Sequence, residues 1–137
     1  MTTSRATSHT AVSPWTWQDP LGFAQAVAVD EPRRLLVCAG QAAVDSEGRV
    51  VCPGDMGGQL DAALDNLETV LTAGGFEMGD VVQLRLYVTD IAAYFAAQQR
   101  FINRFAARGI PVAASLLGVT GLALPDLLVE VEALAVR

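Results

Sequence analysis

The stretch Ser115-Leu-Leu-Gly-Val-Thr-Gly-Leu-Ala-Leu-Pro-Asp-Leu-Leu-Val-Glu130-Val-Glu132-Ala133 decides how this chain is read. Two apolar runs flank a segment holding Gly121 and Pro125, which predicts two buried strands around a turn. The second strand carries carboxylates at i and i+2, positions that share one face of a strand. A core tolerates two charges there only if they are paired, hydrogen-bonded or lining a site. Upstream, alternation along the strand from Val81 sets Gln83, Arg85, Tyr87 and Thr89 on one side, with valines and leucines on the other. If these two strands are neighbours, Arg85 is in reach of Glu130 or Glu132. The pair then reads either as an ion pair within a subunit interface or as a site in which Arg85 anchors a substrate. Glu132 by itself reads as structural.

The rest of the chain frames that pattern. Residues 1 to about 22 hold Pro14, Trp15, Trp17, Pro20 and Gly22 and read as irregular, with residues 1–13 a flexible tail. Ala26 to Gly40 forms two apolar runs separated by Asp30-Glu31-Pro32, a predicted hairpin. Asp55 is placed to cap a helix over 56–74, whose Leu60, Ala63, Leu64, Leu67, Val70 and Leu71 make one apolar stripe. Gly74-Gly75 ends it. Asp90 caps a second predicted helix over 91–107, with Ile91, Tyr94, Phe95, Phe101, Ile102 and Phe105 available to form its inner face. Gly109 and Pro111 stop it. The order is ββαβαββ in an α+β domain spanning 1–137, with the helices on one face of a mixed sheet. The other face is left for a second subunit to cover.

Composition supports that expectation and excludes other classes. Hydrophobic residues make up 52% of the 137 and charged residues 18%, an apolar excess that a subunit interface would hide. The net charge is −6, with nine arginines and no lysine. Nucleic-acid binding rests on clustered cations, so no nucleic-acid partner is expected. Cys38 lies in an apolar run and reads as a small buried hydrophobe, whereas Cys52 sits near a turn. The single histidine, His9, falls in the polar N-terminal segment. No metal-ligand spacing exists, and neither metal nor cofactor is expected. No apolar run approaches the roughly 18 residues of a membrane span, and no secretory signal is evident. A cytoplasmic protein is expected.

Together these segments resemble the Rid (reactive intermediate deaminase, YjgF-like) family from about Pro14 to the C-terminus. The resemblance rests on Gly22-Phe-Ala-Gln-Ala26, Ala39-Gly-Gln41, Gly54-Asp55 with Gln59 and Ala63-Leu-Asp-Asn-Leu67, Asp80-Val-Val with Tyr87-Val-Thr-Asp90, and Leu128-Val-Glu130-Val-Glu132-Ala. It implies a chorismate-mutase-like fold and a homotrimer with a small-molecule ligand in each of three clefts between subunits. In the deaminase branch, enamines and imines are hydrolysed to a keto acid and ammonia, and an arginine holds the substrate carboxylate. Ala113 stands at that arginine's position. The loss removes a charge-assisted contact of roughly 1.5–3 kcal/mol. Phe23 replaces a site tyrosine, Ala39 a serine, Gln98 an asparagine, and Ser115 a cysteine or threonine. Glu130 matches the acid that positions the hydrolytic water.

The resemblance thus implies Glu130 and Ser115 as catalytic residues. Phe23, Ala39, Gly40, Arg85, Tyr87, Gln98, Ala113 and Leu116 are the expected substrate-binding residues, with backbone amides near Gly40 and Leu116 polarising the substrate. The expected activity is hydrolysis of an imine, enamine or related intermediate that need not carry an α-carboxylate. The alternative is a non-catalytic metabolite-binding trimer. A ribonuclease or translation-inhibitor role is disfavoured by the acidic balance. A catalytic site requires Glu130 to face water, whereas a purely binding cleft commits it to backbone donors or to Arg85.

Overall fold

The computed structural model describes residues 8–137. The strands are β1 (Ser8–Val12), β2 (Ala26–Asp30), β3 (Leu35–Ala42), β4 (Val81–Val88), β5 (Ala113–Gly118) and β6 (Val129–Val136), and the α-helices are α1 (Met56–Ala73), α2 (Ile91–Ala97) and α3 (Gln99–Arg104). A four-stranded mixed sheet has the order β3-β6-β4-β5, and β1 pairs with β2 in a separate two-stranded ribbon. Strands β4 and β6 are antiparallel, with Leu84 opposite Ala133, Leu86 opposite Val131 and Val88 opposite Val129. These six side chains are buried. They form a core with Leu60, Leu64, Leu67 and Leu71 of α1 and with Tyr94, Phe101 and Phe105. The period-2 pattern of the strands and the 3.6-period stripe of α1 therefore meet on one face of the sheet.

Helix α1 begins and ends as its sequence dictates. The Asp55 side chain accepts from the Gly58 N–H. At the other end Gly75 adopts φ +80°, the Gly75 N–H donates to Thr72 O, and the Phe76 N–H donates to Leu71 O. That pair of bonds is a Schellman closure, with Leu71 and Phe76 both buried beneath it. Two amides tie helix α1 down, one to the end of β3 and one to the loop before β6. Asn66 Nδ2 donates to Ala42 O and Val44 O. Gln59, fully buried, donates to Cys52 O and Asp126 O and accepts from the Leu128 N–H.

Several expectations need correction. The predicted hairpin between β2 and β3 does not form, because the turn closes on the C-terminus instead. The Arg33 and Arg34 N–H groups donate to Arg137 O, and the Arg137 N–H donates to Arg34 O. This delivers β3 to β6, while β2 pairs with β1. The expected tail 1–13 is accordingly ordered from Ser8 to Val12, where His9 Nε2 donates to Val136 O at 3.0 Å. Residues 1–7 of that tail lie outside the described residues.

The second helix is not continuous over 91–107. It breaks at Gln98, whose N–H bonds back three residues to Phe95 O, a 3₁₀-type tightening. Strand β5 is not buried as predicted, for it is the edge of the sheet and only β4 pairs along its length.

Gln59→Leu tests the tie between α1 and the loop before β6. It strands the Asp126 carbonyl and the Leu128 N–H. A loss of about 2 kcal/mol in unfolding free energy is expected from denaturant melts. An unchanged midpoint would show that the loop finds other partners.

Candidate functional site

The face of the sheet turned away from the helices carries the predicted polar residues. Gln83, Arg85 and Tyr87 of β4 lie there, each more exposed than its buried neighbours. Glu130 and Glu132 of β6 alternate with buried Val129, Val131 and Ala133 in the same way. Arg85 stands directly opposite Glu132, and its Nη1 lies 3.3 Å from Glu132 Oε1. The Tyr87 hydroxyl donates to the same Oε1. So Arg85 pairs with Glu132 and not with Glu130. The Tyr87 hydrogen bond, followed by the Arg85 guanidinium, holds the Glu132 carboxyl below its ordinary value of 4.5. The same hydrogen bond to an anion pushes the Tyr87 hydroxyl above 10.0.

Glu130 is built differently. It lies half-buried across from Ala42 on β3 and Tyr87 on β4. Strand β3 bulges between Cys38 and Gln41, at Ala39-Gly40. The bulge brings Gly40 against the Glu130 carboxyl, so closely that a Cβ on residue 40 would overlap Oε1. Among the described residues no donor is hydrogen-bonded to Glu130. Glycine at 40 is thus a requirement of close approach, and Glu130 keeps its oxygens unshared.

A second group gathers on the helix side of β5. Phe23, Gln98, Ser115 and Leu116 line one cavity of about 240 Å³; Ser115 stands opposite Arg85, so its side chain takes the open face and only Leu116 of the two turns inward. The cavity's remaining walls are Trp17, Leu21, Leu86, Tyr94, Phe95, Phe101 and Ala114. No charged residue lines it. Ala113 lies half-buried at the start of β5, opposite Gln83, with a parallel bridge to Ala24.

The structure therefore brings the predicted residues into three sets: Gly40, at the Ala39-Gly40 bulge, with Glu130; Arg85 with Tyr87; and Phe23, Gln98, Ser115 and Leu116 around the cavity. It does not bring Glu130 to Ser115 within one chain. They sit on β6 and β5 with β4 between, two strand spacings or about 10 Å apart.

Sequence reasoning missed Trp17, Leu21 and the cavity role of Tyr94, Phe95 and Phe101. The aromatic residues of 91–107 were legible only as a helix's inner face, and the break at Gln98 carries no proline or glycine to announce it. Among the described residues no group of three or more His, Cys, Asp or Glu is arranged to hold a metal. No helix among them is long and apolar enough to cross a membrane.

The Tyr87–Glu132 contact has a signed pH dependence. Glu132 is depressed, so its contribution is present above the unfolded carboxyl value and is lost as pH falls through the folded one. Tyr87 is raised, so its contribution is present below 10.0 and is lost as pH rises through the folded value. Tyr87→Phe removes the leading cause of the Glu132 shift. Carboxyl NMR titration should show Glu132 moving up toward 4.5. A Glu132 titration that does not move would assign the shift to Arg85 alone.

Comparison with known proteins agrees with this architecture. The sequence model of the endoribonuclease L-PSP family matches residues 19–137. A Rid-family protein of unknown function from Yersinia pestis, YyfB, superposes with a TM-score of 0.84 at 36% identity, over 94% of this chain and 98% of that one. The YjgF gene product of Escherichia coli superposes with a TM-score of 0.68 at 28% identity, over 84% of this chain and 87% of that one. The 2-iminobutanoate/2-iminopropanoate deaminase of Escherichia coli K12 is 25% identical over 103 residues, 75% of this chain and 80% of its own length. Sequence and fold agree across almost the whole length, and the chain belongs to the Rid (YjgF-like, endoribonuclease L-PSP) family.

Proposed function

We propose that this protein hydrolyses an imine or enamine lacking an α-carboxylate, releasing ammonia, in clefts between the subunits of a homotrimer. The observation that carries this is the Glu130 carboxylate, half-buried against Gly40 and without a hydrogen-bond partner among the described residues. A carboxylate so held keeps its lone pairs for a water molecule. Glu130 takes a proton as the water oxygen bonds to the imine carbon. The C=N electron pair moves to nitrogen, and Glu130 returns its proton there to give the neutral carbinolamine. As C–N breaks, Glu130 takes the hydroxyl proton and passes it to the departing nitrogen, which leaves as ammonia while C=O forms. The sum is C=N plus water giving C=O plus ammonia; an enamine first takes a proton at carbon. Ser115 and the backbone amides near Gly40 and Leu116 polarise the substrate.

The substrate class follows from what surrounds the site. Ala113 offers no charge where the family's deaminase branch has its carboxylate-binding arginine, and the cavity beside it supplies no cation instead. Arg85 is engaged by Glu132. A net charge of −6 without lysine argues against RNA cleavage.

The trimer has two supports. Leu35 and Val37 are 64% and 80% exposed, and Leu117 is 41% exposed opposite Tyr87 on β5, an apolar area suited to a subunit contact. Glu130 and Ser115 are also held apart within one chain, so a site using both requires a second copy.

Ammonia release from freshly generated imines, with and without an α-carboxylate, tests the chemistry. Wild type should turn over the uncarboxylated set, and Glu130→Gln should reduce that rate by about 10²–10⁴-fold. Ala113→Arg should shift turnover toward the carboxylated set. Silence of wild type on every imine would favour a metabolite-binding trimer.

Light scattering tests the assembly. The expected mass is three times 14.4 kDa, about 43 kDa. Val37→Asp should dissociate the trimer and abolish turnover together. A monomeric wild type would overturn the cleft between subunits.

A further inference from the structure

We infer that the cavity beside β5 receives an aromatic or bulky branched apolar group attached to a neutral carbonyl or imine, and that Tyr94 and Trp17 determine this specificity. The inference deepens the hydrolase reading, resting on it only for the identity of the leaving nitrogen; the binding it describes does not require turnover.

Three observations converge. The cavity holds about 240 Å³, and an apolar cavity of roughly 150 Å³ already accepts benzene. A phenyl ring with a short carbonyl-bearing chain is therefore accommodated. The walls are mainly aromatic and aliphatic. Trp17 stands edge-on to Phe23 with ring centroids 6.2 Å apart, and Tyr94 stands edge-on to Phe95 at 5.8 Å. Trp17 and Phe95 remain 63% and 44% exposed, so they form the rim and not the floor. Large aromatic side chains left this open at a cavity mouth are available to a ligand's ring.

The polar groups at the cavity set the charge of the ligand. Tyr94 is only 4% exposed and its hydroxyl has no hydrogen-bond partner among the described residues, yet that oxygen is not sealed from solvent and stays open to a partner from outside the chain. The Gln98 amide likewise has no side-chain hydrogen bond among those residues. Both groups are neutral. Burial pushes the Tyr94 hydroxyl well above its ordinary value, so it stays a proton donor throughout the physiological range. With no cation in the lining, a carboxylate would be desolvated without compensation, whereas a carbonyl or imine accepts from Tyr94 or the Gln98 amide.

Binding of stable ketones, followed by ligand-observed NMR, tests this without reference to catalysis. Acetone, phenylacetone, phenylpyruvate and ethylbenzene are titrated into the full-length protein. Phenylacetone should bind at least about tenfold tighter than acetone, and tighter than phenylpyruvate. Tyr94→Phe, which keeps the ring, should weaken phenylacetone about five- to tenfold and leave ethylbenzene unchanged. Trp17→Ala should weaken both about fivefold. Trp17 is largely exposed, so this variant is expected to melt with wild type.

Equal affinity for acetone and phenylacetone, or a preference for phenylpyruvate, would overturn the inference. An unchanged phenylacetone affinity in Tyr94→Phe would remove Tyr94 from it. The hydrolase reading fails separately. Tight phenylacetone binding with no imine turnover sustains the cavity assignment and sinks the chemistry. Equal turnover of small and aromatic imines with no binding preference does the reverse.

Discussion

Strand β6 bonds to β3 on one side and to β4 on the other, so every residue from Val129 to Val136 has its face decided by the pleat. A slip of one residue in the β4–β6 ladder would drive Glu130 and Glu132 into the leucines of α1 and expel Val129, Val131 and Ala133. No rearrangement of side chains could repair that, since each buried carboxylate would lack a partner. The register is thus fixed by the cost of burying charge as much as by the gain from burying valine. The remaining architecture follows from it. Helix α1 covers one face, the opposite face keeps its polar residues, and β5 is left as an edge beside β4.

That constraint separates two carboxylates that look equivalent in the sequence. Glu132 sits opposite Arg85 and takes the Tyr87 hydroxyl as well, a small closed network that satisfies one carboxylate oxygen twice. Glu130 is two pairs further along the ladder, the next on that face, opposite Tyr87, whose hydroxyl is already committed to Glu132. On its other flank the β3 bulge offers only the bare Cα of Gly40. One acid becomes a structural anion and the other keeps its oxygens open. The difference comes from which neighbours the ladder places opposite each, not from anything in the two side chains.

The site residues also fall on both sides of the sheet. The open face holds acids, one arginine and exposed aliphatic residues, while the cavity by β5 holds aromatic rings and neutral donors. A single chain offers each without the other. Substitutions where β5 meets α2 and the segment before β2 leave the β4–β6 register untouched, and Ala113, Phe23 and Gln98 lie in that region.

How much of this was legible in the residues is clearest at particular places. The periods of Leu60 to Leu71 and of Val81 to Val88, the Asp55 and Asp90 caps and the Gly74-Gly75 stop are local signals, and each element forms close to where they put it. The alternation of Glu130 and Glu132 with valines likewise announced a shared face. Pairing was not legible, since it depends on groups far apart in the chain. The turn at Glu31–Arg34 reads as a hairpin until the Arg137 carbonyl is there to receive its N–H groups. The Trp17 segment reads as irregular until Phe23, Tyr94 and Phe95 give it something to face. By itself the sequence determined which residues lie on one strand face or one helix stripe, because local sterics and hydrophobic periodicity act over a few residues. Only the tertiary structure decided which carboxylate is partnered and which rings share a cavity, because hydrogen bonds and cavities are made between segments that the chain alone does not order in space.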